Sequence, residues 1–293
     1  MAVALNSTDA ARLQTLWTTL AAQFNTAWSH GGAYYGSSPT DGAQTAQVHA
    51  LGAGVVPAGS RATVTQYLMQ DIAKHNGHTS VGIIGMKHFG RALTATGNSY
   101  TAINITLQTD YPSFGWAFEH PDEPATTLWE LYNGPSEGPG MNSRNHIMMG
   151  SVGAWLYTDV AGIAQQPGTA GYSSLLVWPR TTTHERLPYA SGSFESIRGT
   201  VAVEWQVAAK GFSATVTVPA NTAAEVRLTF PAGADPASLV CAEGAAAPVV
   251  FFKSGAFVPG AVAGVTGAAV NVNASALSVM TGSGVFAFAL SGW

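Results

Sequence analysis

The segment Thr126-Thr127-Leu128-Trp129-Glu130 lies a short way ahead of Asn142-Ser143-Arg144-Asn145-His146. It sets a carboxylate beside a tryptophan and follows the pair with a polar stretch of the kind that opens a helix. Upstream, Tyr111-Pro112-Ser113-Phe114-Gly115-Trp116 adds aromatic rings on turn-rich sequence. Aromatic faces stack on the apolar faces of pyranoses, and a carboxylate among them can orient a hydroxyl or activate water, so the composition points to carbohydrate chemistry.

Each residue also has a plainer reading. Glu130 could be a loop-end carboxylate that merely forms a salt bridge with Arg144. His146, at a helix entry marked by Asn142, Ser143 and Asn145, could donate to a sugar hydroxyl, or be a satisfied structural histidine. Asn145 could simply bond the backbone. Trp129 and Trp116 serve packing as readily as stacking, with Trp129 the stronger site candidate. Tyr111 and Tyr132 are weaker aromatic candidates. An inverting glycosidase needs a second carboxyl group, an acid roughly 6.5 to 9.5 Å from the base. Glu119, Asp122 and Glu123 lie in the FEHPDEP loop between the two aromatic motifs, although three acids with two prolines also describe an exposed, stiff rim. Asp9 and Arg12 fit a solvated helix face.

The elements that must hold these residues change character near Gln165 to Gly171. Before that point the period is helical. Thr8 or Asp9 can cap a helix whose apolar positions Leu13, Leu16, Trp17, Leu20, Phe24 and Trp28 recur at spacings of three and four. Further helices are predicted over about 43–54, 62–75, 80–95, 99–109 and 144–163, in antiparallel pairs. Beyond the switch, short β-branched runs at Ser174 to Trp178, Thr200 to Gln206, Ser213 to Val218 and Ala224 to Phe230 predict an antiparallel sandwich. The tail from Gly260 to Trp293 should add strands. The expected domains are a helical one over 1–165 and a β-sandwich over 166–293.

Composition bounds what such a chain can do. With 293 residues, 46% of them hydrophobic, it can bury a large core in two domains. Only 10% of residues are charged and the formal net charge is -4. The basic residues are scattered, which argues against a nucleic-acid partner. No stretch of about 20 apolar residues predicts a membrane span, and the N-terminal MAVALNSTDAARLQ has neither a basic n-region nor a long apolar h-region. Cys241 is the sole cysteine, so no disulfide forms within the chain. His75 and His78 lack a second ligand pair for zinc, and there is no G-x-S-x-G elbow, P-loop or dinucleotide fingerprint. No metal or cofactor is expected.

The order TDYPSFGW, ATTLWELYNG and NSRNHIMMGSVGAWLYTDVAGI, with the DGAQTAQVHALGAGVVP run of Asp41 to Pro57 and the HTSVGIIGMKHFGRAL run of His78 to Leu93, resembles the C-terminal part of the catalytic domain of bacterial and fungal α-L-rhamnosidases. The segment from Val218 to Thr222 resembles that family's C-terminal β-domain. The resemblance implies part of an (α/α)6 barrel followed by a β-sandwich. It also implies an inverting hydrolase of terminal α-L-rhamnose, with Glu130 as the water-activating base. His146, Trp129, Trp116, Asn145 and Tyr111 would contact a rhamnose-containing glycoside or polysaccharide. The family's acidic loop, which supplies the general acid, has no counterpart here, so the chain is expected to be an incomplete catalyst. An open helical edge would then favour a homodimer or a completing chain. The readings from other classes are a non-catalytic carbohydrate-binding or assembly protein, and a helical-barrel glycosidase acting on another sugar.

Overall fold

The computed structural model describes residues 2–3, 5–37, 44–138, 143–182 and 184–293. The head of the Asp41–Pro57 run and Asn142 therefore lie outside the described residues. The chain divides into two compact units, one of Ala11–Trp155 and one of Leu156–Trp293 together with the N-terminal residues to Ala10. The first is helical and the second β.

The helical unit contains α1 (Ala10–Trp28), α2 (Gln44–Gly52), α3 (Arg61–Lys74), α4 (Ile83–Ala95), α5 (Ser99–Thr106) and the short α6 (Phe114–Phe118). Burial follows the helical period. α3 buries Val64, Leu68 and Ile72 at intervals of four, and α4 buries Gly85, Met86, Phe89, Ala92 and Leu93 along one face. Two buried glutamines on α2 serve the loops that irregular backbone would otherwise leave unpaired. Gln47 accepts from the Tyr35 amide at 2.9 Å and donates to the Tyr35 carbonyl at 2.7 Å. Gln44 does the same for Ser80 and His78, at 2.9 and 3.1 Å. Gly90 lets α4 pass against Trp155: a Cβ there would lie 2.6 Å from the indole, whose Nε1 donates to Thr94 Oγ1 at 2.9 Å.

α1 differs from the others in having no buried residue. Leu13, Leu16, Trp17, Leu20 and Trp28 are all exposed, Leu20 by 54%. They form the stripe that the sequence period outlines.

The helix expected over 144–163 does not form. Residues 143–148 are loop, and Met149–Ser151 is a 3₁₀ turn. α7 (Val152–Trp155) is a single turn, Leu156–Val160 is a π turn, and Ile163–Gln165 is a strand. Gly150 and Gly153 weaken helix formation in this run. Gly162, at φ 80°, reverses the chain, and its carbonyl accepts from the Trp178 amide at 2.7 Å, committing the next residues to a sheet. α6 was not expected. Ser113 caps it by accepting from the Trp116 amide at 2.9 Å.

In the β unit a seven-stranded sheet runs Ala256–Phe257, Val249–Lys253, Val240–Glu243, Gly284–Ser291, Gly211–Val218, Gly199–Ala208, Tyr189–Ser196. A five-stranded sheet runs Val265–Asn271, Ala276–Thr281, Ala223–Thr229, Ser174–Val177, Ile163–Gln165. All pairs are antiparallel except Ser174–Val177 with Ala223–Thr229, which is parallel. Strict alternation sends Val201, Val203 and Trp205 inward, and Phe212, Ala214, Val216 and Val218 beside them. They meet Leu175, Val226, Leu228, Leu277 and Val279 from the other sheet to form one core. Cys241 is part of that core, where burial raises its thiol pKa and leaves it inert.

Candidate active site

Glu130 and His146 sit on two loop segments that clip together edge to edge. The Glu130 amide donates to the Ser143 carbonyl at 2.8 Å, and the His146 amide to the Leu128 carbonyl at 2.7 Å. Thr127 Oγ1 donates to the Arg144 carbonyl between them. This short ladder lets backbone without regular secondary structure hold its side chains in register.

The ladder fixes the carboxylate. Glu130 Oε2 accepts from the Ser143 amide at 2.9 Å and lies 3.6 Å from His146 Nδ1. Oε1 has no hydrogen-bond partner among the described residues. The Glu130 side chain is 33% exposed and that of His146 20%. One oxygen is therefore oriented by a backbone donor while the other is open to solvent or substrate, the geometry a general base requires. The salt bridge between Glu130 and Arg144, weighed from the sequence, is replaced by another pair: Arg144 engages Glu123 of the FEHPDEP loop.

Behind the carboxylate runs a chain of rings in edge-to-face contact. Tyr111 meets Trp116 at 6.1 Å, Trp116 meets His120 at 5.6 Å, and His120 meets Trp129 at 6.0 Å. Exposure falls along this chain. Tyr111 is open to solvent and Trp116 half-buried, whereas Trp129 is only 5% exposed and packs its indole against Gly134, leaving no open face for a sugar to stack on. Asn145 is exposed in the loop, its amide donating to Ser143 Oγ at 3.2 Å. His146 precedes the 3₁₀ turn instead of opening a helix. Next to it Ile147 is 86% exposed. Tyr132 lies under the same wall, edge-on to Phe114 at 5.4 Å. It lines a cavity of about 20 Å³, room for about one water. Burial raises the pKa of its hydroxyl, which has no partner among the described residues.

Sequence reasoning missed His120. It is buried, and its Nδ1 accepts from the amides of Asp122 and Glu123 at 3.3 and 3.4 Å. The available signal was its place two and three residues ahead of those amides, where an Asn or Asp side chain would close a turn in the same way. Of the candidate acids, Glu123 is taken up by Arg144, and Glu119 and Asp122 are exposed on the loop. Among the described residues no group of three or more His, Cys, Asp or Glu side chains is placed to hold a metal ion, and no helix is long and apolar enough to cross a membrane.

A helical unit followed along the chain by a β-sandwich is the domain order of the six-hairpin glycosidases, and the carboxylate beside a histidine lies in the helical unit. Comparison with known proteins gives the family. Residues 1–160 match the bacterial α-L-rhamnosidase six-hairpin glycosidase domain, and residues 162–237 match the bacterial α-L-rhamnosidase C-terminal domain. This chain belongs to the bacterial α-L-rhamnosidase family. An α-L-rhamnosidase of Streptomyces avermitilis is 35% identical over 224 residues, covering 74% of this chain and 21% of the relative. One from Formosa agariphila is 28% identical over 225 residues, covering 75% of this chain and 23% of its own length. The α-L-rhamnosidase structure from Dictyoglumus thermophilum superposes with a TM-score of 0.79 at 29% identity, over 97% of this chain and 29% of that one. The Streptomyces avermitilis structure, solved with L-rhamnose, gives 0.76 at 30% identity, over 98% of this chain and 25% of that one. The chain thus spans about a fifth of the length of these curated relatives.

Proposed function

We propose that this chain carries the water-activating side of an inverting α-L-rhamnosidase site, with terminal α-L-rhamnose of a glycoside or polysaccharide as substrate. The observation that carries the reading is Glu130, one oxygen held by the Ser143 amide and the other free, with His146 3.6 Å away. In this reading Glu130 removes the proton from the attacking water and His146 donates to a sugar hydroxyl. Tyr111 and Trp116 offer the aromatic face, and Asn145 is the polar rim. Trp129 acts from behind, as the wall against which the Glu130 loop packs.

The leaving oxygen must be protonated by a second carboxyl group. The FEHPDEP acids are poor candidates for that task, because Glu123 is spent on Arg144 and Glu119 and Asp122 are exposed on the loop. Turnover by this chain alone is therefore expected to lie about 10²- to 10⁴-fold below that of a site with a positioned acid. The apolar stripe of α1 favours a second reading alongside the first: a second copy or a completing chain covers it. Each large side chain left wet there forgoes about 1.5–3 kcal/mol of burial.

Titration of the purified chain with L-rhamnose, followed by the anomer released from an aryl α-L-rhamnoside, tests the first reading. Saturable binding with slow, inverting hydrolysis lost in Glu130→Gln is the expected result. A folded chain that neither binds L-rhamnose nor hydrolyses the glycoside overturns it. Sedimentation of the wild-type chain beside Leu16→Glu tests the second: association lost in the variant is expected, and a monomer with no dye-accessible apolar surface rejects it.

A further inference from the structure

We propose that His120 is the positioning residue of the Glu130 site, acting through Glu123 and Arg144, and that the acidic loop between the aromatic motifs is a strut for the site in place of a source of acid. The term positioning rests on the reading of Glu130 as the base.

His120 Nδ1 accepts two backbone amides, so the ring carries its proton on Nε2, and the amides of Asp122 and Glu123 are tied back toward the ring. The ring is itself gripped edge-on by Trp116 and Trp129 and is buried, so it cannot turn to offer Nε2 instead without losing both aromatic contacts. The loop is closed a second time where the Ala125 amide donates to the Ala117 carbonyl at 2.9 Å. A loop closed in this way presents Glu123 to Arg144, and the pair links it to the segment of Ser143 to His146. That segment is the strip that supplies the amide on Glu130 Oε2 and the ring beside it.

An exposed ion pair between two mobile side chains contributes little, because ordering both ends offsets the attraction. Here one end is ordered beforehand. Glu123 sits on backbone already fixed by a buried acceptor, and the Arg144 carbonyl is already held by Thr127 Oγ1. The surface pair can therefore transmit the position of a buried ring to a loop that has no regular secondary structure of its own. Trp129 joins the two ends of the path, since it touches His120 and precedes Glu130 in the chain.

Amide hydrogen exchange at Glu130 and His146, read by NMR on the whole chain, tests the path. These two amides donate across the ladder, to Ser143 and Leu128. His120→Phe keeps an aromatic ring and removes the acceptor. It should speed exchange at both amides by about tenfold, roughly the loss of one hydrogen bond of ordinary net worth. His120→Asn restores an acceptor that closes the same turn and should bring exchange back toward the wild-type rate. Glu123→Gln should reproduce the Phe variant, and the double variant should add little to either. Unchanged exchange in both His120→Phe and Glu123→Gln overturns the proposal. So does faster exchange that Asn does not rescue, which would mark His120 as a packing residue only. If the Phe variant fails to fold, the Asn and Gln variants decide by themselves. L-rhamnose titration of the same samples separates the two claims. Wild-type protein that binds no sugar removes the functional reading, whereas the exchange pattern stands or falls on the path alone.

Discussion

Two glutamates, one in each unit, show how the same side chain is put to opposite uses. Glu225 lies on the strand Ala223–Thr229, and both of its oxygens are engaged. Oε1 accepts from Arg227 Nε at 2.7 Å and from Ser278 Oγ at 3.0 Å, and Oε2 from Gln166 Nε2 at 3.3 Å. The guanidinium of Arg227 also lies 4.5 Å over the Trp178 ring, which takes Arg180 at 4.3 Å as well. Arg180 in turn pairs with Asp159 at 3.1 Å. Glu130 sits on a loop, with one oxygen held by an amide and the other open. A carboxylate with both oxygens engaged beside its strand neighbours stiffens a sheet. One oriented on one side only, on a loop steadied by rigid neighbours, remains available to react.

Removing the carboxylate at each position should separate the two uses, and the largest effect is expected at Glu130. Glu130→Gln keeps the shape and the Ser143 contact but removes the base. Whatever hydrolysis of an aryl α-L-rhamnoside the chain supports should fall by about 10²- to 10⁴-fold, with the melting temperature unchanged. Loss of stability instead of activity would put Glu130 in the class of Glu225. Glu225→Leu should do the reverse. It strands the Arg227 guanidinium and the Ser278 hydroxyl and should cost about 1–3 kcal/mol in urea unfolding, while L-rhamnose binding stays as it was. A silent Glu225→Leu would mean that Trp178 holds Arg227 without the carboxylate.

A smaller effect is expected at the wall behind Glu130. A Cβ at Gly134 would lie 2.8 Å from Trp129 Cε3, so Gly134→Ala pushes the indole toward the Glu130 loop. Overpacking of this kind costs about 1–3 kcal/mol where nothing can yield. Loop neighbours can yield, so the lower end is expected, together with weaker L-rhamnose affinity. Unchanged affinity with unchanged stability would show that the wall does not set the position of the carboxylate.

The two regions were also unequally legible. The runs Thr200 to Gln206 and Ser213 to Val218 reappear inside Gly199–Ala208 and Gly211–Val218, because a half-buried strand writes its alternation directly into sequence. α1, α3 and α4 follow their apolar period for the same reason, even where α1 leaves its stripe uncovered. The stretch 144–163 carried apolar residues at helical spacing, but glycines and the pull of sheet pairing at Ile163–Gln165 overrode them. The parallel pairing of Ser174–Val177 with Ala223–Thr229 joins segments far apart in sequence and leaves no local trace. At the site, Glu130 and His146 stood out through their flanking motifs. The burial of Trp129 and the bonds made by His120 are consequences of tertiary packing, which residue type and spacing do not encode.

The smallest expected effect is an acid-side loss of stability carried by the sheet's glutamate. Burial alone would raise the pKa of Glu225. The hydrogen bonds from Arg227, Ser278 and Gln166, with the charge of Arg227, outweigh it and hold the carboxyl below its ordinary value. In the unfolded chain the group takes up its proton at that ordinary value, so between the two the unfolded state binds more protons than the folded one. The contribution of Glu225 is therefore complete above the ordinary carboxylate range and fades as pH falls through the lowered folded value. Urea midpoints measured for wild type and Glu225→Gln from neutral pH downward should converge on the acid side, because the variant has no carboxylate to protonate. A gap that stays constant down to low pH would mean that Arg227 and Ser278 hold the strand equally well against a neutral side chain at position 225.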